Sequence, residues 1–187
     1  MKLIGVTGRA GSGKDTVADY LCKHHGFYKY SFAAPLKEML KVIGVFDDRA
    51  TKELPHPVFG VSPRRMMQTL GTDWGRDTIC DDIWLRVAEQ RLRGGATIVL
   101  NSYQYMGNEI SDVGPAKGMV ISDVRFENEA AWVRRQGGLL IHLVRPGLAA
   151  VEAHASEAGI VEVGGDAYIE NDGTIEELHR KVYAVLP

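Results

Sequence analysis

The segment Gly8-Arg9-Ala10-Gly11-Ser12-Gly13-Lys14-Asp15-Thr16 carries the most specific chemistry in the chain. Its G-x-x-x-x-G-K spacing follows a short apolar run and opens a helical pattern at Val17-Ala18. Glycines let successive main-chain N–H groups turn towards one phosphate, the helix N-terminus adds its positive dipole, and the lysine reaches the β and γ phosphates. Gly8, Ala10, Gly11, Ser12, Gly13, Lys14, Asp15 and Thr16 are therefore the expected contacts of a nucleoside triphosphate. Asp15 stands where a Ser or Thr hydroxyl usually meets Mg2+. A carboxylate is a good ligand for a hard cation, and it also stabilises the first turn of a helix by ~0.3–1 kcal/mol. Asp15 is read as lying near the metal, directly or through water, with helix stabilisation as the alternative, and Thr16 as reaching the α-phosphate.

Such a loop must be held between a strand and a helix. Short apolar runs at Lys2 to Val6, Tyr28 to Phe32, Met119 to Ser122, Leu139 to Val144 and Ala167 to Ile169 read as buried strands. Helical patterns alternate with them, which predicts an α/β protein with a five-stranded, mostly parallel sheet covered on both faces. Ser62-Pro63 is an N-cap followed by proline, and Leu85, Ala88 and Leu92 line one helix face before Gly94-Gly95. Glu127 to Gln136 stops at Gly137-Gly138. Thr174-Ile175-Glu176-Glu177 is a capping box for a last helix whose Ile175, Leu178, Val182 and Leu186 are expected to face the core. Residues 47–61 and 101–117 resist the alternation, the first as part of an excursion over 47–76 and the second as an insertion, and Thr97 to Leu100 is either a further strand or half of a hairpin.

Composition bounds the setting of this core. A chain of 187 residues with 45% hydrophobic and 25% charged side chains is expected to form one globular domain over 1–187. Only Cys22 and Cys80 are present, without paired C-x-x-C spacing, which excludes a disulfide framework and a cysteine zinc site and fits the cytoplasm. A net charge of -2 gives no general attraction to a nucleic-acid polymer or an anionic membrane. The apolar run at Leu3 to Val6 is too short for a secretory segment, and no stretch approaches the ~20 apolar residues of a membrane span.

The strings N-K-x-D and D-x-x-G of regulatory GTPases are both absent. Gly13-Lys14-Asp15-Thr16-Val17-Ala18-Asp19, Ser31-Phe32-Ala33-Ala34-Pro35-Leu36-Lys37, Gln68-Thr69-Leu70-Gly71-Thr72-Asp73-Trp74-Gly75-Arg76 and Ile121-Ser122-Asp123-Val124-Arg125-Phe126-Glu127-Asn128-Glu129 follow one another along the chain. His154-Ala155-Ser156-Glu157 and Asn171-Asp172-Gly173-Thr174 complete the series. In these segments the sequence resembles the deoxynucleoside monophosphate kinases of bacteriophages, including the Lys-Asp-Thr form of the loop. The resemblance implies an adenylate-kinase-like fold, ATP and Mg2+ as cofactors, and transfer of the γ-phosphoryl group to a deoxynucleoside 5′-monophosphate in the cytoplasm, that of the host if the chain is phage-encoded.

Within that resemblance, Lys37 and Arg65 are expected to hold the acceptor phosphate, and Arg65 shares a helix face with Gln68, which can read a base edge. Gly71 to Arg76 is too glycine-rich to continue a helix and is read as one turn. It brings together Trp74, either a stacking surface for a base or a cover for the core, and Arg76, a phosphate or base contact. Asp123 and Arg125 close the third strand at its carboxyl end, where open α/β sheets bind ligands. Asp123 is read as an acid beside the metal, with a structural ion pair as its alternative, and Arg125 as reaching the acceptor or transferring phosphate. Arg145 opens a lid over 146–165 that carries His154, Ser156 and Glu157. Asn171, Asp172 and Gly173 are expected at the adenine, or else form an ordinary turn.

An ionised phosphate oxygen attacks without a general base, so catalysis reduces to positioning and countercharge from Lys14, Arg125, Arg145 and the metal. The rivals are a kinase acting on a hydroxyl, such as a dephospho-coenzyme A kinase, and a non-catalytic ATP-binding switch. The two excursions offer surface for a homodimer.

Overall fold

Alternating side chains explain why the first strand lies at the centre. Ile4 and Val6 point into one apolar layer with Val17, Leu21, Ile141 and Leu178, all fully or nearly fully buried. Gly5 faces the opposite layer, where a Cβ would stand 3.0–3.1 Å from Leu140, Val124 and Val133. A strand covered on both faces reads as a continuous apolar run.

The computed structural model describes residues 2–46, 48, 50–93, 116–148 and 160–187. The candidate strand at 97–100, the insertion at 101–117 apart from its last two residues, and the lid positions 149–159 with His154, Ser156 and Glu157 lie outside the described residues. The chain divides into two compact units, Met1–Ser31 with Glu89–Pro187, and Phe32–Ala88.

The first unit holds β1 (Lys2–Thr7), α1 (Lys14–His25), β2 (Phe27–Tyr30), β3 (Gly118–Ile121), α5 (Glu127–Arg135), β4 (Leu139–Val144), β5 (Ala167–Glu170) and α6 (Ile175–Val185). The sheet order is β2-β3-β1-β4-β5, and every pairing is parallel. The carboxyl ends of β3, β1 and β4 are therefore adjacent, and the loops that follow them share one edge of the sheet. Gly13 and Gly26, both left-handed, begin and end α1.

Two expectations about this unit need correction. Ser31 and Phe32 fall outside β2, and the Ser31 hydroxyl instead donates to Asp123 Oδ2 at 2.7 Å. Ile175 is 58% exposed, although Leu178 and Val182 are buried as expected. Ile175 lies in the first turn of α6, past the last residue of β5, and the Thr174–Glu177 capping box sets the helix start there.

The second unit holds α2 (Ala34–Val42), α3 (Pro63–Gln68) and most of α4 (Ile83–Arg93). Ser62 Oγ caps α3 by accepting the Arg65 N–H at 3.2 Å. The segment Gly71–Arg76 is not a turn: the chain stays helical from Thr69 to Ile79 with the wider π-type winding. Each glycine costs such a segment up to ~1 kcal/mol in helix propensity. Here Gly71 and Gly75 are buried, and a Cβ on Gly75 would lie 2.5 Å from the Trp84 ring. They are present for close packing. Trp84 Nε1 donates to the Gly71 carbonyl at 2.8 Å.

Candidate active site

The phosphate loop is built by backbone that other residues rarely adopt. Gly8, Gly11 and Gly13 have φ of 146°, 79° and 104°. A Cβ on Gly8 would come within 2.2 Å of the Leu143 carbonyl oxygen, so the loop runs tight against the end of β4. Lys14 Nζ folds back and donates to the carbonyls of Gly8 and Arg9 at 2.7 and 2.8 Å. Ser12 is 1% exposed, and its hydroxyl has no hydrogen-bond partner among the described residues. An orphaned buried hydroxyl in a loop of turned N–H groups fits a phosphate oxygen.

A cavity of about 410 Å³ opens beside this loop. Lys14 and Arg9 line it from the loop, Arg125 from the segment after β3, and His142 and Arg145 from β4 and its exit. Glu162 contributes the opposite charge. The volume lies within the ~300–1,000 Å³ of small-ligand pockets. The parallel order of the sheet brings Arg125 and Arg145 beside the loop cations Arg9 and Lys14, more than a hundred residues earlier in the sequence.

Asp123 is held by Ser31, as described above, while neighbouring main chain is fixed by Ser122 N–H to the Tyr30 carbonyl and Val124 N–H to the Val6 carbonyl, each at 3.2 Å. Asp15 points elsewhere in the same unit: its largely exposed carboxylate lies 2.9 Å from Lys29 Nζ, which also bonds Asp19 at 2.9 Å. Burial opposes the Lys29 charge, but hydrogen bonds and attraction from Asp19 and Asp15 outweigh it and raise the Lys29 pKa.

The turn after β5 acts on the loop through one side chain. Asn171 Nδ2 donates to the Ser12 carbonyl at 2.8 Å, and the Asn171 N–H reaches the Val144 carbonyl at 2.7 Å. Asp172 pairs with Lys181 at 2.5 Å, which holds its carboxyl below the usual range. Gly173 lies against the capping carboxylate of Glu177.

Several residues of this site escaped sequence reasoning. His142 is the one polar side chain in Leu139–Val144, and its Nε2 lies 2.9 Å from Asp166 Oδ2. Arg134 approaches the same carboxylate with Nη2 at 2.6 Å and Nε at 3.1 Å, and also donates to the Val161 carbonyl. A histidine inside an apolar strand was the available signal. Glu129 is buried after the Arg125 loop, and its spacing of three from Phe126 is that of a helix cap.

Apart from Arg125, which lies in the first unit, the acceptor-side candidates are in the second. Lys37 is half-buried on α2, and Arg65 and Gln68 share α3. Arg64 is engaged by Glu53 at 2.8 Å, whereas Arg65 has no ion pair among the described residues. Arg76 is half-buried on the π-type segment. Trp74 is 40% exposed, with its ring 6.4 Å from that of Trp84, so it neither belongs wholly to the core nor stands free of it.

The family model for deoxynucleotide monophosphate kinase matches residues 2–56 and 58–182. The chain belongs to this family. A protein of Acanthamoeba polyphaga mimivirus that bears the same family's name is 36% identical over 97% of the chain and 94% of its own length. The deoxynucleotide monophosphate kinases of Escherichia phage RB69 and Enterobacteria phage T4 are 26% and 24% identical, covering 100% and 97% of both partners. Family membership thus extends over the phosphate loop, the Asp123–Arg125 segment and the second unit alike.

Proposed function

We propose that this deoxynucleotide monophosphate kinase transfers the γ-phosphoryl group of ATP to a deoxynucleoside 5′-monophosphate, and that Lys14, Arg125 and Arg145 carry the transfer. The observation that supports this reading best is the convergence of those three cations on one cavity beside a tight glycine loop. Main-chain N–H groups and the Ser12 hydroxyl bind the donor phosphates, and Lys14 exchanges its two loop carbonyls for phosphate oxygens. Arg125 and Arg145 neutralise charge on the transferring group, where fixed cations are most effective. The attacking phosphate oxygen is already ionised at neutral pH, so no side chain has to remove a proton.

Mg2+ bound to the donor would draw charge from the β and γ phosphates. Asp123, oriented by Ser31, is the acid to hold its water shell, and Asp15 is a second candidate once it leaves Lys29. Asn171 supports the loop from the adenine side, with Asp172 and Gly173 completing that turn. Lys37, Arg65 and Arg76 bind the acceptor phosphate, and Gln68 and Trp74 contact its base. No described helix is long and apolar enough to cross a membrane, and the reaction is assigned to the cytoplasm, that of the host if the chain is phage-encoded.

The test is ADP release with paired deoxy- and ribonucleoside monophosphates and with dephospho-coenzyme A. Deoxynucleotide-stimulated turnover is the expected result. Turnover only with the hydroxyl acceptor, or ATP binding with no acceptor-stimulated turnover, overturns the reading.

A further inference from the structure

The cap of α5 is chemically lopsided. Its N-cap residue is Phe126, which offers no side-chain oxygen, so the reciprocal Ser or Thr half of a capping box is missing. The acidic half is present and reaches further than a cap requires. Glu129 Oε2 accepts the Phe126 N–H at 3.2 Å and, more closely, the Arg125 N–H at 2.8 Å. Those two amides flank the Cα of Arg125, so one carboxylate oxygen restrains both backbone torsions of that residue.

Glu129 is 3% exposed. A buried carboxylate is costly unless several donors and a positive potential compensate for lost water. The two N–H groups and the N-terminal turn of α5 supply that compensation. On the other side, the Val124 N–H is held by the Val6 carbonyl and Val124 itself is 1% exposed. The main chain is thus fixed immediately before and immediately after the point where Arg125 leaves it for the cavity.

We infer that Glu129 is a positioning residue for phosphoryl transfer, acting through Arg125 by fixing the backbone from which the guanidinium projects. A misplacement of ~1 Å in a reacting array can cost about a hundredfold in rate. The inference rests on the assignment of Arg125 to the phosphate, and a double-mutant cycle separates the two.

Steady-state kinetics of Glu129→Ala, Glu129→Gln, Arg125→Ala and Arg125→Ala/Glu129→Ala are compared at a temperature where thermal unfolding shows each protein folded. The expected result is a kcat at least about fivefold lower in Glu129→Ala, with the ATP KM changed less than about threefold. Glu129→Gln, whose amide oxygen still accepts both N–H groups, returns to within about twofold of the starting enzyme. In the Arg125→Ala background the Glu129→Ala change lowers kcat no further. A smaller loss in Glu129→Ala, a Glu129→Gln enzyme no faster than Glu129→Ala, or additive losses overturn the inference. Normal turnover by Arg125→Ala overturns the Arg125 assignment itself. Should Glu129→Ala fail to fold, Glu129→Asp keeps the charge but withdraws the oxygen, and full speed in that variant likewise overturns it.

Discussion

Asn171 holds Ser12: its side-chain amide donates to the Ser12 carbonyl across 159 positions of sequence at 2.8 Å. A residue expected at the adenine therefore also supports the phosphate loop from behind. Asn171→Ala removes a partly buried donor and is expected to cost about 1 kcal/mol of stability. It should raise the ATP KM roughly fivefold through a looser loop, a change read by steady-state kinetics beside a thermal melt. An unchanged KM would leave Asn171 with a folding role alone.

Lys14→Ala should separate chemistry from stability. Lys14 Nζ donates to the exposed loop carbonyls of Gly8 and Arg9 at 2.7 and 2.8 Å, and its loss should shift the melting midpoint little. Removing a cation from the transferring phosphate should lower kcat by about a hundredfold or more. Arg145→Ala is expected to follow the same pattern with a smaller loss.

Acid stability should depend on Asp166. Burial would raise its pKa, but hydrogen bonds from Arg134, His142 and the Val163 N–H outweigh that and hold it at about 2, below the ordinary 3.8. A depressed carboxyl stabilises the fold fully above its unfolded pKa, and the contribution disappears as pH falls from about 4 towards 2. Its size is about 2 kcal/mol. Denaturant melts of Asp166→Asn should therefore show a deficit at pH 7 that narrows at pH 3. A deficit that stays constant across that range would refute the linkage.

Gly75→Ala tests the packing account of the π-type segment. The new methyl would stand 2.5 Å from the Trp84 ring and 3.1 Å from the Leu70 carbonyl. Overpacking of this kind costs about 1–3 kcal/mol, visible in a denaturant melt. Were Gly75 present for a turn conformation, the variant would be strained by its φ, yet Gly75 is not among the residues with positive φ.

Asp15→Asn addresses the unusual loop residue. Loss of the Lys29 pair, exposed as it is, should change stability by less than about 1 kcal/mol. A raised magnesium requirement would place Asp15 at the metal, and an unaltered one would leave Asp123 as the acid there.

The phosphate loop was legible from residue types because its chemistry is local: glycines, a lysine and a helix start within nine positions. All five strands were legible too, since a central parallel sheet leaves continuous apolar runs. The Gly71–Arg76 segment was misread because glycine's permissiveness points equally to a turn and to a close approach, and only Trp84, thirteen residues from Gly71, distinguishes them.

The sequence alone determined the phosphate-binding class, the alternation of strands and helices, and the family resemblance, all of which depend on neighbours in the chain. The tertiary structure decided what strand order decides. Placing β1 between β3 and β4 set Lys14, Arg125 and Arg145 around one cavity, the β2–β3 pairing joined Ser31 to Asp123, and the β4–β5 pairing put Asn171 behind Ser12. These are side-chain encounters between segments distant in sequence, and their geometry follows from parallel pairing and packing rather than from any local spacing.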